Sequence, residues 1–419
     1  MKKMLLAWLL ALAIAGCGGG GGGTAPSTQT GSSSGNSTVQ QPATTTTALA
    51  QNTVAVTVDS TYAQLNTPYV TLTVCAPGTS NCTTIDHVLV DTGSTGLRLL
   101  RSALPSSLGL ANSTNPNTGL PLAECSEFGS GHSWGPISSV DLKIAGETAS
   151  SLPIQIIDDS FATVPADCAG FGADMAANGA QSLGAKGILG VSSLRRDCNS
   201  LCLSVAQTIY YDCVGQICHA VTMPISDQVP NPATRFASDN NGVVLTFPGI
   251  PATGSALVTG TMTFGIDTQP DNTMASSLTQ LTHSDSALSA SYGGQTMNGI
   301  IDSGSGAYFF PDATITQCPT TFSSQAYYCP TSALTLTAAL GGSNGSMITG
   351  VTFSIANAMS TMVNNSFVAY NNIGVDTNLF GQAYLDLGMP FFYGKTIYFG
   401  IQSNDILDLG TMPYWAIQS

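Results

Sequence analysis

One short pattern occurs twice in this chain and limits what it can fold into. Asp86-His87-Val88-Leu89-Val90 leads into Asp91-Thr92-Gly93-Ser94-Thr95-Gly96, and far downstream Gly299-Ile300-Ile301 leads into Asp302-Ser303-Gly304-Ser305-Gly306. In each copy an apolar, β-like run delivers one carboxylate into a tight, Gly-hinged turn. Each copy also has a later companion: Gly187-Ile188-Leu189-Gly190 after the first, Asp386-Leu387-Gly388-Met389-Pro390 after the second. An apolar pair followed by Gly can lie against another backbone, because Gly has no Cβ. The same order of signals in two halves predicts an internal repeat whose two Asp loops face each other.

The rest of the chain reads as strands. Val54–Val58, Val70–Val74, Val88–Val90, Val140–Ile144, Ile154–Ile157, Val243–Phe247, Thr261–Ile266, Ile300–Ile301, Val351–Ile355 and Thr396–Ile401 alternate or run apolar with β-branched residues. Helical spacing is scarce, Ser200–Tyr211 and Ala333–Leu340 being the two candidates. A length of 419 residues exceeds one ordinary core and fits two lobes. The expected fold is all-β and bilobal, with two pseudo-symmetric lobes and a central cleft. The N-terminal lobe is expected over 51–230 and the C-terminal lobe over 231–419. Apolar residues make up 43% and charged residues only 8%, well below the roughly one quarter usual in soluble domains. The net charge of −14 reflects a shortage of bases, which excludes nucleic acid as a partner.

Residues 1–16 read as a signal peptide. Lys2-Lys3 precedes Met4–Ala15, an apolar run too short to span a bilayer permanently. It ends Ile14-Ala15-Gly16-Cys17, which resembles a bacterial lipoprotein signal with Cys17 as the lipidated residue; an ordinary secretory signal is the alternative. Residues 17–50 then form a Gly, Ser and Thr stalk that cannot bury enough surface to fold. The expected location is the cell envelope, outer membrane by the Gly18 that follows the Cys, periplasmic or surface-facing. The only membrane contact expected is the lipid.

Without Cys17, ten of the 11 cysteines remain, and an exported chain favours disulfides. The spacing groups Cys75 with Cys82, Cys198 with Cys202, Cys213 with Cys218 and Cys318 with Cys329, leaving Cys125 and Cys168. A zinc site on Cys198, Cys202, Cys213, Cys218 and His219 is the weaker alternative for an exported protein. His87, His132, His219 and His283 are scattered singly, so no metal and no cofactor is expected.

From about residue 54 to 402 the chain resembles the pepsin-like aspartic peptidases, here in a bacterial lipoprotein setting. Val90-Asp91-Thr92-Gly93-Ser94 and Ile301-Asp302-Ser303-Gly304-Ser305 match the two catalytic loops. Gly187-Ile188-Leu189-Gly190 and Leu387-Gly388-Met389-Pro390 match the two apolar-Gly motifs. Phe128-Gly129-Ser130-Gly131 falls where that family has its flap. The resemblance implies Asp91 and Asp302 as the catalytic pair and a peptide or protein as substrate. It gives Thr92 and Ser303 contacts across the lobe interface. Ser94 and Ser305, with Gly93 and Gly304, would orient the carboxylates. A monomer is expected. The chain departs from the family where Phe128 replaces a Tyr and Arg98 a Trp, and residues 18–50 hold no Lys or Arg to form a basic pro-segment.

The chemistry explains why such a loop comes in pairs. Two carboxyls roughly 3 Å apart cannot both ionise cheaply, so they share a proton. The ionised partner takes a proton from water, and the protonated one donates to the substrate carbonyl. Two other functions fit the residues. The same fold without turnover would be a binding module on the cell surface. Gly131-His132-Ser133-Trp134-Gly135 fits a serine-hydrolase elbow, with His219 or His283 as base, but requires a strand–turn–helix that Pro136 and the strand pattern after it oppose.

Overall fold

The computed structural model describes residues 49–284, 287–364, 366–378, 382–405 and 410–419. The signal segment, Cys17 and almost the whole stalk lie outside them. The described chain is all-β, and no α-helix among the described residues exceeds four residues. None is long and apolar enough to cross a membrane.

Each half contains the same three-strand unit. Cys82–Asp91 runs parallel to Gly187–Val191, with Asp91 opposite Gly190. Thr95–Leu100 then returns antiparallel along the other side of Gly187–Val191. In the second half Gln295–Asp302 runs parallel to Tyr384–Gly388, with Asp302 opposite Gly388, and Tyr308–Phe309 returns antiparallel along it. A late strand is thus threaded between the two arms of each Asp loop, the ψ arrangement. The glycines make room for it. A Cβ on Gly190 would lie 2.8 Å from the Gly96 carbonyl oxygen, and one on Gly388 2.1 Å from that of Ala307. A side chain there would push the strand out of the loop.

A sheet spans both halves. Thr53–Val58 pairs antiparallel with Val258–Phe264. Gly242–Thr246 lies between Val258–Phe264 and Thr396–Gly400, and Tyr414–Gln418 follows. Val56, Val58, Val243, Leu245, Met262, Phe264, Ile397 and Phe399 are buried in one hydrophobic cluster. That cluster continues to Val90 and Leu189 behind one Asp loop and to Ile301 and Leu387 behind the other. The core therefore sets the position of both loops.

Both helix expectations need correction. Ser200–Tyr211 contains only a single helical turn, Leu201–Ser204, and then enters the strand Tyr210–Val214. Cys198 and Cys202 are joined across that turn, while Tyr210–Asp212 pairs with Leu122–Glu124. Ala333–Leu340 is covered by the strand Leu334–Gly341, which pairs with Met347–Ile355.

Five disulfides join the cysteines in the pairs their spacing suggests: Cys75–Cys82, Cys125–Cys168, Cys198–Cys202, Cys213–Cys218 and Cys318–Cys329. The zinc alternative is thereby overturned, since its four cysteines are oxidised. Cys125–Cys168 closes a separation of 43 residues, Cys198–Cys202 one of 4. On loop entropy, changing both cysteines to Ala is expected to cost about 4 kcal/mol for the long link and about 2 kcal/mol for the short one. Urea unfolding of the two variants measures the difference.

Candidate active site

The two loops grip each other across the halves. The Thr92 N–H donates to Ser303 Oγ (3.1 Å), whose hydroxyl donates to the Val90 carbonyl (2.7 Å). In mirror image, the Ser303 N–H donates to Thr92 Oγ1 (2.9 Å), whose hydroxyl donates to the Ile301 carbonyl (3.3 Å). Four buried bonds at about 1 kcal/mol each fix the loops relative to one another. Serving both as donor and as acceptor requires a hydroxyl residue at each position.

This grip holds Asp91 and Asp302 together. They are 0% and 1% exposed, and their carboxyls are in hydrogen-bonding contact. A Cβ on Gly93 would stand 2.8 Å from Asp302 Cγ, so the second residue after Asp91 must be Gly for the other carboxyl to fit. The Gly93 N–H donates to Asp91 Oδ1 and the Gly304 N–H to Asp302 Oδ1, each at 2.8 Å. The Ser94 hydroxyl donates to Asp91 Oδ2, and Ser305 lies 3.0 Å from Asp302 Oδ2.

The two carboxyls are not equivalent electrically. Burial raises Asp91 above the usual carboxylate range, while Ser94, Gly93, Asp302 and the charge of Arg98 pull it back. Burial raises Asp302 well above that range, and the charges of Asp91 and Asp386 push it further. The pair titrates as a unit.

Two buried groups beside the pair were not anticipated as site residues. Asp386, read only as part of an apolar-Gly motif, is 2% exposed, and its Oδ2 lies 2.6 Å from Ser305 Oγ. An acid within an otherwise apolar strand motif was the available signal. Arg98 is the second. Its Nη2 donates to Glu124 Oε1 (2.6 Å), Nε to Ser126 Oγ (2.5 Å) and Nη1 to the Thr95 carbonyl (2.7 Å). Asp197 lies 4.0 Å away, in turn accepting from the Tyr210 hydroxyl at 2.7 Å and 2.8 Å. An ionic cluster thus ties the strand leaving the Asp91 loop to the strand Leu122–Phe128.

The hairpin of Leu122–Phe128 and Gly131–Ile144 turns at Gly129-Ser130. It is held from behind. Ala173–Asp174 pairs with Gly131–His132, and Cys125 is linked to Cys168. Phe128 is buried among Tyr69, Leu100, Ile157 and Met175. Ser133 does not stand at an elbow. It lies inside the strand Gly131–Ile144, fully buried, and donates to Gln155 Oε1 at 2.9 Å. That overturns the serine-hydrolase alternative. His132 contacts the Gly172 carbonyl, and Trp134 donates to that of Ala162 while packing on Tyr211.

Residues 48–417 match the model of a family described as "Protein of unknown function (DUF3443)". The chain belongs to that family. None of the curated proteins compared with it matches. Among solved structures, an aspartic proteinase from Irpex lacteus is similar at 16% identity and a TM-score of 0.49, over 88% of this chain and 97% of that one. The assignment of this DUF3443 chain to an all-β fold with a ψ unit in each half stands on its own strand order.

Proposed function

We propose that this chain is an aspartic endopeptidase, displayed on the cell envelope through a lipid on Cys17, with Asp91 and Asp302 as its catalytic pair. The observation that carries the reading is the contact of two buried carboxyls held by a reciprocal Thr92–Ser303 grip. Ionised Asp91 takes a proton from water as its oxygen bonds to the peptide carbonyl carbon. Protonated Asp302 donates to the carbonyl oxygen, giving a neutral tetrahedral diol. Transfer of the proton on Asp91 to the amide nitrogen, while a diol hydroxyl returns a proton to Asp302, then breaks the C–N bond, releases amine and acid and restores the starting pair. The loop N–H groups of Gly93 and Gly304 keep each carboxyl oriented throughout.

The chain, with its disulfides formed, is expected to cleave an unfolded protein substrate between pH 3 and 7. A statine-type mimic of the tetrahedral diol should block cleavage. Ser133→Ala is expected to keep turnover within about twofold while costing roughly 1 kcal/mol of stability, the loss of one buried hydrogen bond. Absence of cleavage over that range would sink the reading. A second reading, peptide binding without hydrolysis, draws on the flap: Phe128 carries no hydroxyl, and the hairpin is pinned by Cys125–Cys168. Tight binding of the statine mimic with no cleavage would favour it.

A further inference from the structure

Asp386 has no part in the chemistry above, yet it is buried beside the pair. Ser305 Oγ lies 3.0 Å from Asp302 Oδ2 and 2.6 Å from Asp386 Oδ2. A serine hydroxyl carries one hydrogen, so it can donate to only one of these oxygens. The other contact needs a hydrogen supplied by a carboxyl. Under the peptidase reading, on which this inference rests, the proton of Asp302 is committed to Asp91. The remaining source is Asp386. We propose that Asp386 is a neutral carboxylic acid that donates to Ser305 Oγ, so that the Ser305 hydroxyl donates to Asp302 and holds it in place. Asp386 is then a positioning residue, acting on Asp302 through Ser305.

Two further observations agree. Asp386 Oδ1 is buried without a hydrogen-bond partner, which suits the carbonyl oxygen of an acid better than a carboxylate, whose two oxygens both demand donors. Burial pushes the Asp386 carboxyl up to about 8, against the pull of Ser305 and with the push of Asp91. The charged groups that act with it are acids. Asp302 faces it from the paired strand and Asp91 from the other half, and the returning strand sets the apolar Phe309 opposite it.

Above its titration, Asp386 would draw the Ser305 hydrogen to itself and leave Asp302 without that donor. Asp386→Asn keeps a donor to Ser305 and has no proton to lose. Asp386→Leu keeps the space but not the donor. In the full chain, Asp386→Asn is expected to hold kcat within about threefold at pH 5. The Asp386→Leu variant is expected to lower kcat about tenfold with KM little changed, as for loss of orientation rather than binding. The alkaline fall of kcat should alter in the Asn variant. A second readout needs no turnover: infrared difference spectra at pH 6 should show a protonated carboxylic C=O band in the wild type that is missing from Asp386→Asn, and the band should titrate away near pH 8.

Equal wild-type and Asn-variant spectra would place a charge on Asp386 and overturn the proposal, whether or not the protein hydrolyses peptides. Equal loss of kcat in the Asn and Leu variants would reduce Asp386 to packing and overturn it as well. The band present in a wild type that cleaves nothing would overturn the peptidase reading alone and leave the proton on Asp386 supported.

Discussion

Asp91→Asn and Asp302→Asn are each expected to lower kcat/KM for peptide cleavage about 10²–10⁴-fold, the range that general acid–base groups supply. The double variant should be little worse than either single one, because the two carboxyls act as a unit. Stability should move the other way. Both carboxyls are raised by burial, so the folded chain keeps protons that the unfolded chain releases above about pH 4. Their favourable contribution is complete below that pH and is lost as pH rises toward the folded values. Asn has no proton to lose. Each Asn variant should therefore melt a few degrees above the wild type at pH 7 and close to it at pH 3.5. A single Asn variant with wild-type turnover would end the peptidase proposal. Equal melting at both pH values would show that the site carboxyls cost nothing to bury.

Arg98→Met should produce the largest loss of stability. Arg98 is buried beside Glu124 and Asp197. Burial opposes its charge, but Glu124 and Asp197 more than restore it. One cation cannot balance two carboxylates, and Asp197 is raised well above the usual range by burial and by Glu124. Removing the guanidinium leaves Glu124 buried and unpaired, which costs about 3–5 kcal/mol. Adding Glu124→Leu should recover part of the loss, as when a buried ion pair is replaced whole. Urea unfolding of the single and double variants at pH 7 checks both statements. A loss below 1 kcal/mol at pH 7 would mean that the cluster is not holding the strand Leu122–Phe128.

The legible part of the protein was the part governed by local rules. Asp91, Asp302 and the glycines behind them announce themselves because each backbone approach excludes a Cβ. The cysteine pairs were legible because four of the five close short loops. The misread segments depended on distant partners. Leu334-Thr335-Leu336-Thr337-Ala338-Ala339-Leu340 has helix-forming residues, but pairing with Met347–Ile355 makes it a strand. Ile209-Tyr210-Tyr211 was taken into a helix because nothing local shows that Leu122–Glu124 lies beside it. The Arg98 cluster was invisible for the same reason. Arg98, Glu124, Asp197 and Tyr210 are spread over more than a hundred residues and meet only once the lobe has formed.

The strand Thr53–Val58 has a bearing on how the molecule reaches its native state. Its partner Val258–Phe264 arrives about two hundred residues later in the chain, with Thr53 set against Thr263. Such a long-range closure belongs to topologies that fold slowly. Until it forms, an apolar strand edge next to the stalk stays open to pairing with other chains. The first lobe is thus not a finished unit when its own residues are complete. Assembly of the Asp91 loop and docking of the opening strand must both wait for the second half, so truncation after the first lobe should yield an aggregating fragment rather than a folded half.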